Sequence, residues 1–423
     1  MVEQWITLPG GERLNVGWKE TQPARYEARL AAKRVENLKA AKGARAHCDC
    51  KIDLQIRQRD SRHHIAIWSG TGPSHAPDCI YHRAEADRSG RAAYVDGVII
   101  EHDDVDEVII RLRTSLRISA PDPEPRPAPP ASPRPGKATQ RQMTFLGLLH
   151  LLWEKSGLHY WHPGFEGHRT PAQAVARIRG FASLVIAGRT NVASVLIPFA
   201  PEYRQSGHLL QEAMSTARGK KRLLVIGFVE AAADHRWEPE SLQISLAGQR
   251  GMFLSIPRQR WMAISRTLPS VDKTLQCGSN QSSVAALFLV TAETIRKGKS
   301  AGKVQAVIED GAFTRVNTQM IPVESSHELV IADRLVAERR VFEKPMRFDA
   351  SRDLVRPDFI LRDTGRIAGF PMEVFGMNTE AYRERVAEKR AHYNCVFGDG
   401  GWWEWDAASG QVVPEFPLAV RNV

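Results

Sequence analysis

Only five of the 423 residues are cysteine. An odd number in a long chain without a secretion signal argues against a disulfide framework, and clustered cysteines are better used on a metal. Long apolar runs are missing as well. The longest candidate, around Val284 to Val290, is far too short for a membrane span, so no membrane association is expected. Met1-Val2-Glu3-Gln4-Trp5 has neither the basic start nor the apolar core of a signal peptide, which makes a cytoplasmic location the default. Nothing in the chain matches a P-loop or a dinucleotide fingerprint, which argues against an ATPase or a dehydrogenase. Acids are the minority charge: 48 Asp and Glu stand against 58 Lys and Arg, for a formal net charge of +10. That balance favours an anionic partner, nucleic acid being the commonest.

What is present reads as a soluble multidomain chain. Trp5-Ile6-Thr7-Leu8 and Arg13-Leu14-Asn15-Val16 flank the turn sequence Pro9-Gly10-Gly11-Glu12, so a hairpin is expected. A basic helix follows from about Pro23 to Lys42, with a thin apolar stripe of Leu30, Val35 and Leu38. It suits a solvated cover or a phosphate-contacting helix. Cys48-Asp49-Cys50 then precedes two alternating stretches, Leu54 to Ile56 and Ile65 to Trp68, and the segment His75-Ala76-Pro77-Asp78-Cys79-Ile80-Tyr81-His82. A tetrahedral structural zinc takes four nitrogen or sulfur ligands from two such knuckles. Cys48 and Cys50 supply one knuckle, and Cys79 with His75 or His82 the other. The Cys-x-Cys then Cys-x-x-His order resembles a SWIM-type finger, which would select His82. His63-His64, mid-ribbon, reads as exposed polar surface.

Eight prolines between Pro121 and Pro135 cannot bury a core and favour extended geometry, so residues 119–137 read as a linker. Beyond it, Gln142 to Ser156 is apolar at helical spacing, and Pro171 to Ala182 is a second helix. The pair loosely suggests a helix-turn-helix. Strands are expected at Leu223 to Val229, Leu242 to Leu246, Met252 to Ile256, Ala285 to Val290, Lys303 to Ile308 and Thr314 to Ile321. Thr71 to Cys79, Leu148 to Leu158, Trp161, Gly167-His168-Arg169 and the Phe348-Asp349-Ala350 region resemble a family of uncharacterised proteins encoded on plasmids and integrative elements. In that family the histidine four residues before the cysteine recurs, which favours His75. The resemblance implies a mobile-element context, with DNA and conjugation or mobile-element proteins as partners, and no established chemistry.

The C-terminal region carries the second constellation. Asp358-Phe359-Ile360-Leu361 and Phe370 to Phe375 read as a hairpin across the turn Arg362-Asp363-Thr364-Gly365-Arg366. Asp358 and Glu373 would then sit on neighbouring strands, where two carboxylates suit Mg²⁺. Pro357-Asp358 and Glu373 resemble the PD-(D/E)xK nuclease superfamily. The likeness implies an extra acid on the preceding helix, matched to Glu338 on Ile331 to Phe342. It also implies a lysine two residues after Glu373. That position is Phe375, and Lys389 on the helix Thr379 to Tyr393 is the replacement candidate. Cys395-Val396-Phe397 and Gly400 to Trp405 read as strands.

The expected architecture is α/β and multidomain. It has an N-terminal domain with a zinc-ribbon-like β module over 1–118, a linker over 119–137, a central mixed α+β domain over 138–323 and a restriction-endonuclease-like α/β domain over 324–423. The expected function is a DNA-associated, Mg²⁺-dependent nuclease. The alternative is a zinc-containing DNA- or protein-binding factor with a degenerate nuclease fold.

Overall fold

A computed structural model describes residues 5–16, 18–59, 62–68, 71, 74–75, 79, 81, 98–102, 107–117, 142–203, 205–217, 222–249, 254–277, 281–294, 304–346, 356–366, 369–377 and 380–420. The linker expected over 119–137 lies outside these residues.

The first hairpin forms because Gly10 and Gly11 take φ of 88° and 85°, a left-handed conformation that a residue with Cβ rarely adopts. Trp5–Thr7 (β1) pairs antiparallel with Arg13–Asn15 (β2). After the short Trp18–Thr21 (α1) comes Pro23–Lys39 (α2), with Pro23 at its permissive first turn. This helix buries Tyr26 and Leu30, each worth roughly 1.5–3 kcal/mol of burial. It also buries Asn37, whose side-chain amide donates to the Leu54 carbonyl and whose oxygen accepts from the Ala46 amide. Asn37 thereby holds His47–Cys48 (β3), the second neighbour of β1, against the helix. Leu54–Arg59 (β4) and Arg62–Ile67 (β5) form the separate two-stranded ribbon. His63 is not free surface: its ring lies 2.6 Å from Glu27 of α2.

Ile99–His102 (β6) and Glu107–Ile110 (β7) depart from the expected layout. β7 runs parallel to Val185–Ala187 (β9), and its Val108 and Ile110 belong to the large central core. The boundary expected at 118 therefore crosses a continuous sheet. Phe145–Lys155 (α3) starts at Thr144, whose hydroxyl accepts from the Gly147 amide. Phe145 through Trp153 are all buried, so this helix lies inside the core. Tyr160–Trp161 (β8) and a 3₁₀ turn separate it from Pro171–Ala182 (α4), so the two helices are not joined by the tight turn of a helix-turn-helix. Thr190–Asn191 (β10) completes the β9 edge and Leu196–Pro198 (β11) follows, then Ser206–Ala217 (α5).

A closed barrel comes next. Its strands are Leu223–Asp234 (β12), Ser241–Leu246 (β13), Leu254–Pro257 (β14), Ser282–Thr294 (β15) and Val304–Asn317 (β16). Arg258–Ser265 (α6) and Val271–Cys277 (α7) connect the third strand to the fourth. β12 pairs with β13, β13 with β14, β14 in parallel with β16, β16 with β15, and β15 back with β12. A register shift between Val229 and Ala231 bends β12, so its first half pairs with β11 and β15 and its second half with β13. Gly311 in β16 permits the tight β15 contact: a Cβ there would lie 2.6 Å from the Leu287 carbonyl oxygen. The two strands expected at 303–308 and 314–321 are one, and Pro322–Val323 (β17) returns along its end.

The C-terminal sheet is built by Ser326–Ala337 (α8), Phe342–Glu343 (β18), Phe359–Leu361 (β19), Phe370–Phe375 (β20), Glu380–Phe397 (α9) and Trp403–Asp406 (β21). β18, β19 and β20 form an antiparallel meander, and α9 carries the chain over to β21, parallel to β20. β8 pairs with β18, so this sheet draws on a segment the sequence assigned to the central domain. Two elements are corrected. The first helix spans 326–337, not 331–342, and 395–397 is the last turn of α9, not a strand.

Candidate functional site

Two clusters of ligand-type side chains stand out. In the first, β3 delivers Cys48, and a turn closed by the Lys51 amide on the Cys48 carbonyl brings Cys50 back beside it. Lys51 takes φ of 63° there. The chain after β5 supplies His75 and Cys79. His75 Nδ1 lies 3.2, 3.4 and 3.6 Å from the sulfurs of Cys48, Cys50 and Cys79. A tetrahedral zinc with bonds of about 2.0–2.3 Å has ligand–ligand edges of roughly 3.5–3.8 Å, so the nitrogen-to-sulfur spacing fits. All four ligand atoms lie within 4.8 Å of one another, and His75 and Cys48 are buried. The Cys79 thiol hydrogen-bonds the Cys48 sulfur and pulls the Cys48 pKa down to about 3, while the same bond and burial push Cys79 up. Sulfur ligands bind a metal as thiolates, so a cation entering this cluster would displace thiol protons. These residues can hold a metal ion such as zinc.

The second cluster lies where β19 and β20 face α8 and α9. Asp358 precedes β19; its carboxylate accepts from the Val374 amide at 2.8 Å, and its own amide donates to the Met372 carbonyl. Glu373, mid-β20, accepts from Lys389 Nζ at 2.8 Å and from the Tyr393 hydroxyl at 2.7 Å, both on α9. Lys344, just after β18, donates to Glu328 at 2.7 Å and lies 3.8 Å from Asp358. Asp358 and Glu373 are 5% and 1% exposed, and Lys344 is 2% exposed. Burial, then the charge of Asp358, raises the Glu373 pKa to about 8 against the pull of Lys389. Burial raises Glu328 to about 7, opposed by Lys344 and reinforced by Asp358. Tyr382 on α9 is raised by burial and feels the charges of Asp358, Glu373 and Glu328. Three carboxyls and two ammonium groups thus share one low-dielectric neighbourhood. It is looser than the thiol cluster: among the described residues, only the Cys/His quartet brings three or more metal-ligand groups within 4.8 Å.

Residues 29–408 match the family model DUF1173, described as a protein of unknown function. The chain belongs to the DUF1173 family. The comparison with curated proteins returns no match. A solved chain in the complex of OBody AM2EP06 with hen egg-white lysozyme is similar over 22% of this chain and 77% of its own, at 15% identity and a TM-score of 0.14. At that score the likeness carries no argument.

In this DUF1173 protein Cys48, Cys50, His75 and Cys79 come together, while the alternative ligand His82 lies outside the described residues. So does the Phe348-Asp349-Ala350 region. Asp358, Glu373 and Lys389 also come together. Glu338 does not: it caps the C-terminal end of α8, half exposed, and pairs with Arg334 at 2.7 Å. The acid that α8 turns toward Asp358 is Glu328, about 15 Å from Glu338 along the helix axis. The sequence reading missed it because it started this helix at Ile331, beyond Glu328; the helix in fact begins at Ser326, capped by the Ser325 hydroxyl accepting from the Glu328 amide. Lys344 was legible only as one of the basic residues of this region; the fold places it against Glu328 and Asp358. At Phe375 the ring is buried against the Arg390 guanidinium, 5.3 Å from its centre, and the two ammonium groups of the cluster come from α9 and from the end of β18. Among the described residues no helix is long and apolar enough to cross a membrane.

Proposed function

We propose that this protein is a metal-dependent DNA nuclease of the PD-(D/E)xK kind, with the Cys/His quartet holding a structural zinc. The observation that carries the reading is that Asp358, just before β19, and Glu373, on the adjacent β20, lie close enough for charge to couple, with Lys389 reaching Glu373 from the following helix. The helix, three-strand meander, helix and parallel strand order of α8 to β21 supports it. Asp358 and Glu373 would hold Mg²⁺, which supplies an activated water and neutralises charge on the leaving oxygen. The protein's own groups do the rest. Lys389, which donates to Glu373, would hold the attacking water or a phosphate oxygen. Lys344, anchored by Glu328, sets a positive charge beside Asp358. A cavity of about 250 Å³ beside Phe375 is lined by Arg383, Arg390 and Asp406, with Arg390 paired to Glu404; Arg383 and Arg390 would contact a phosphate backbone there. In this reading the likeness to proteins of plasmids and integrative elements makes mobile-element DNA the substrate.

The test is cleavage of linear, supercoiled and single-stranded DNA with Mg²⁺ or Mn²⁺, comparing the intact chain with Asp358→Ala and Glu373→Ala. Cleavage lost in both variants supports the reading. The deep burial of Glu373 under Lys389 and Tyr393 favours a second reading, a closed and non-catalytic DNA-binding scaffold. No cleavage by the intact chain, with DNA binding unchanged in the variants, would select it.

A further inference from the structure

The barrel carries a surface that the carboxylate and thiol clusters do not use. Its strands close in the order first, second, third, fifth, fourth, back to first, with helices between the third and fourth. That is the Greek-key barrel of an OB-fold, whose second and third strands and first connecting loop are a common platform for oligonucleotides and oligosaccharides. Topology alone assigns no ligand; the side chains at that loop do.

The turn between β12 and β13 exposes Trp237 at 70%, the most exposed tryptophan among the described residues. An aromatic of this size left in water forgoes the burial that most tryptophans obtain. The turn around it is held firmly. The His235 ring accepts from the Trp237 and Glu238 amides and packs edge-on to the Trp237 ring at 6.1 Å. Arg258, the first residue of α6, donates to the Pro239 carbonyl, pairs with Asp234 and closes the turn through its amide on Glu240. Because Ser241 pairs with Pro257, α6 leaves the barrel at the same end as this turn. Arg258 and Met262 stand four residues apart along it and Arg266 caps its end, Met262 at 69% exposure. The Arg236 guanidinium lies 5.4 Å from the Trp237 ring centre. Behind the turn, Ala231, Ala232 and Ala233 leave the strand surface bare of bulk.

We infer that this end of the barrel binds single-stranded nucleic acid, Trp237 stacking on a base while Arg236 and Arg266 contact phosphates. A rigidly mounted, exposed aromatic among guanidinium groups is the arrangement that base stacking needs, and every base offers a π face. Asp234, Glu238 and Glu240 share the turn, so net charge there is small. Stacking rather than counterion release must carry the binding, and its salt dependence at this site is shallow. The inference stands on the barrel and does not depend on cleavage elsewhere.

The experiment is fluorescence anisotropy of a labelled oligo-dT 20-mer with the full chain. It is run in an Asp358→Ala/Glu373→Ala background so that cleavage cannot intervene. Trp237→Ala is expected to weaken binding about tenfold. Trp237→Phe, which keeps a stacking ring, stays within about threefold of the parent. A duplex of the same length binds more weakly than the single strand. Equal binding by parent and Trp237→Ala, a preference for duplex, or no oligonucleotide binding by the parent would each overturn the inference. The last result would leave the turn as a protein-docking surface. Circular dichroism confirms folding, which substitution at so exposed a position leaves intact.

Discussion

The Glu373→Gln substitution removes an ionisation that the fold resists. Burial and the neighbouring Asp358 raise this carboxyl from 4.5 to about 8. At 1.36 kcal/mol per pKa unit, that rise corresponds to about 5 kcal/mol between the unfolded and folded environments. The sign follows from linkage. A carboxyl whose folded pKa is raised binds its proton more tightly in the native state. Its contribution to stability is full below about pH 4.5, falls as pH rises, and is lost through about pH 8. The glutamine side chain carries no such proton, and its amide oxygen can still accept from Tyr393 or Lys389. The variant is therefore expected to match the parent near pH 5 and to exceed it by on the order of a few kcal/mol at pH 8.5, in buffer without divalent cation. Native-state hydrogen exchange on peptides covering β20 and α9 reports this locally, which matters because the described residues form three separate cores. Parallel pH dependences in parent and variant, or a less protected β20 in the variant at pH 8.5, would refute the reasoning.

Other expectations follow from the same packing. Native mass spectrometry should find one zinc per chain, lost in Cys79→Ser, and chelation should unfold the N-terminal module, which loses on the order of 10 kcal/mol of apparent binding energy. Lys344→Met leaves Glu328 buried without its ammonium partner and should destabilise the C-terminal sheet by about 3–5 kcal/mol in urea unfolding, with Glu328→Leu on top restoring much of the loss. Gly311→Ala drives a methyl into the Leu287 carbonyl and the Phe288 ring, and should lower barrel stability by roughly 1–3 kcal/mol in thermal unfolding.

Short-range chemistry is the part of this molecule that its sequence reveals. The β19–β20 hairpin is legible because a turn sequence joins two apolar runs, and the Cys/His quartet because its members fall in two tight knuckles. Contacts between distant segments are not legible. No local pattern announces that Tyr160–Trp161 completes a sheet with Phe342–Glu343, or that Glu107–Ile110 joins the central sheet through Val185–Ala187. The barrel strands can be read one at a time, yet closure depends on β12 pairing with β15 some sixty residues later and on a bulge that bends it. The helix acid shows how a boundary decides chemistry. A helix started five residues late turns Glu338 toward the site; with the true start of α8 at Ser326, the first turn puts Glu328 there and leaves Glu338 at the exposed end.

Asp358 and Glu373 are proposed together to hold a divalent cation. The most direct test is calorimetric titration of the intact chain with Mn²⁺ near pH 8, beside Asp358→Asn and Glu373→Gln, with zinc already bound so that the thiol cluster stays silent. A Mn²⁺ site in the parent that disappears in each variant is expected. Its apparent affinity should rise about tenfold per pH unit below 8, because the cation must displace the Glu373 proton. Mn²⁺ binding unchanged in both variants, or none in the parent, would contradict the proposal.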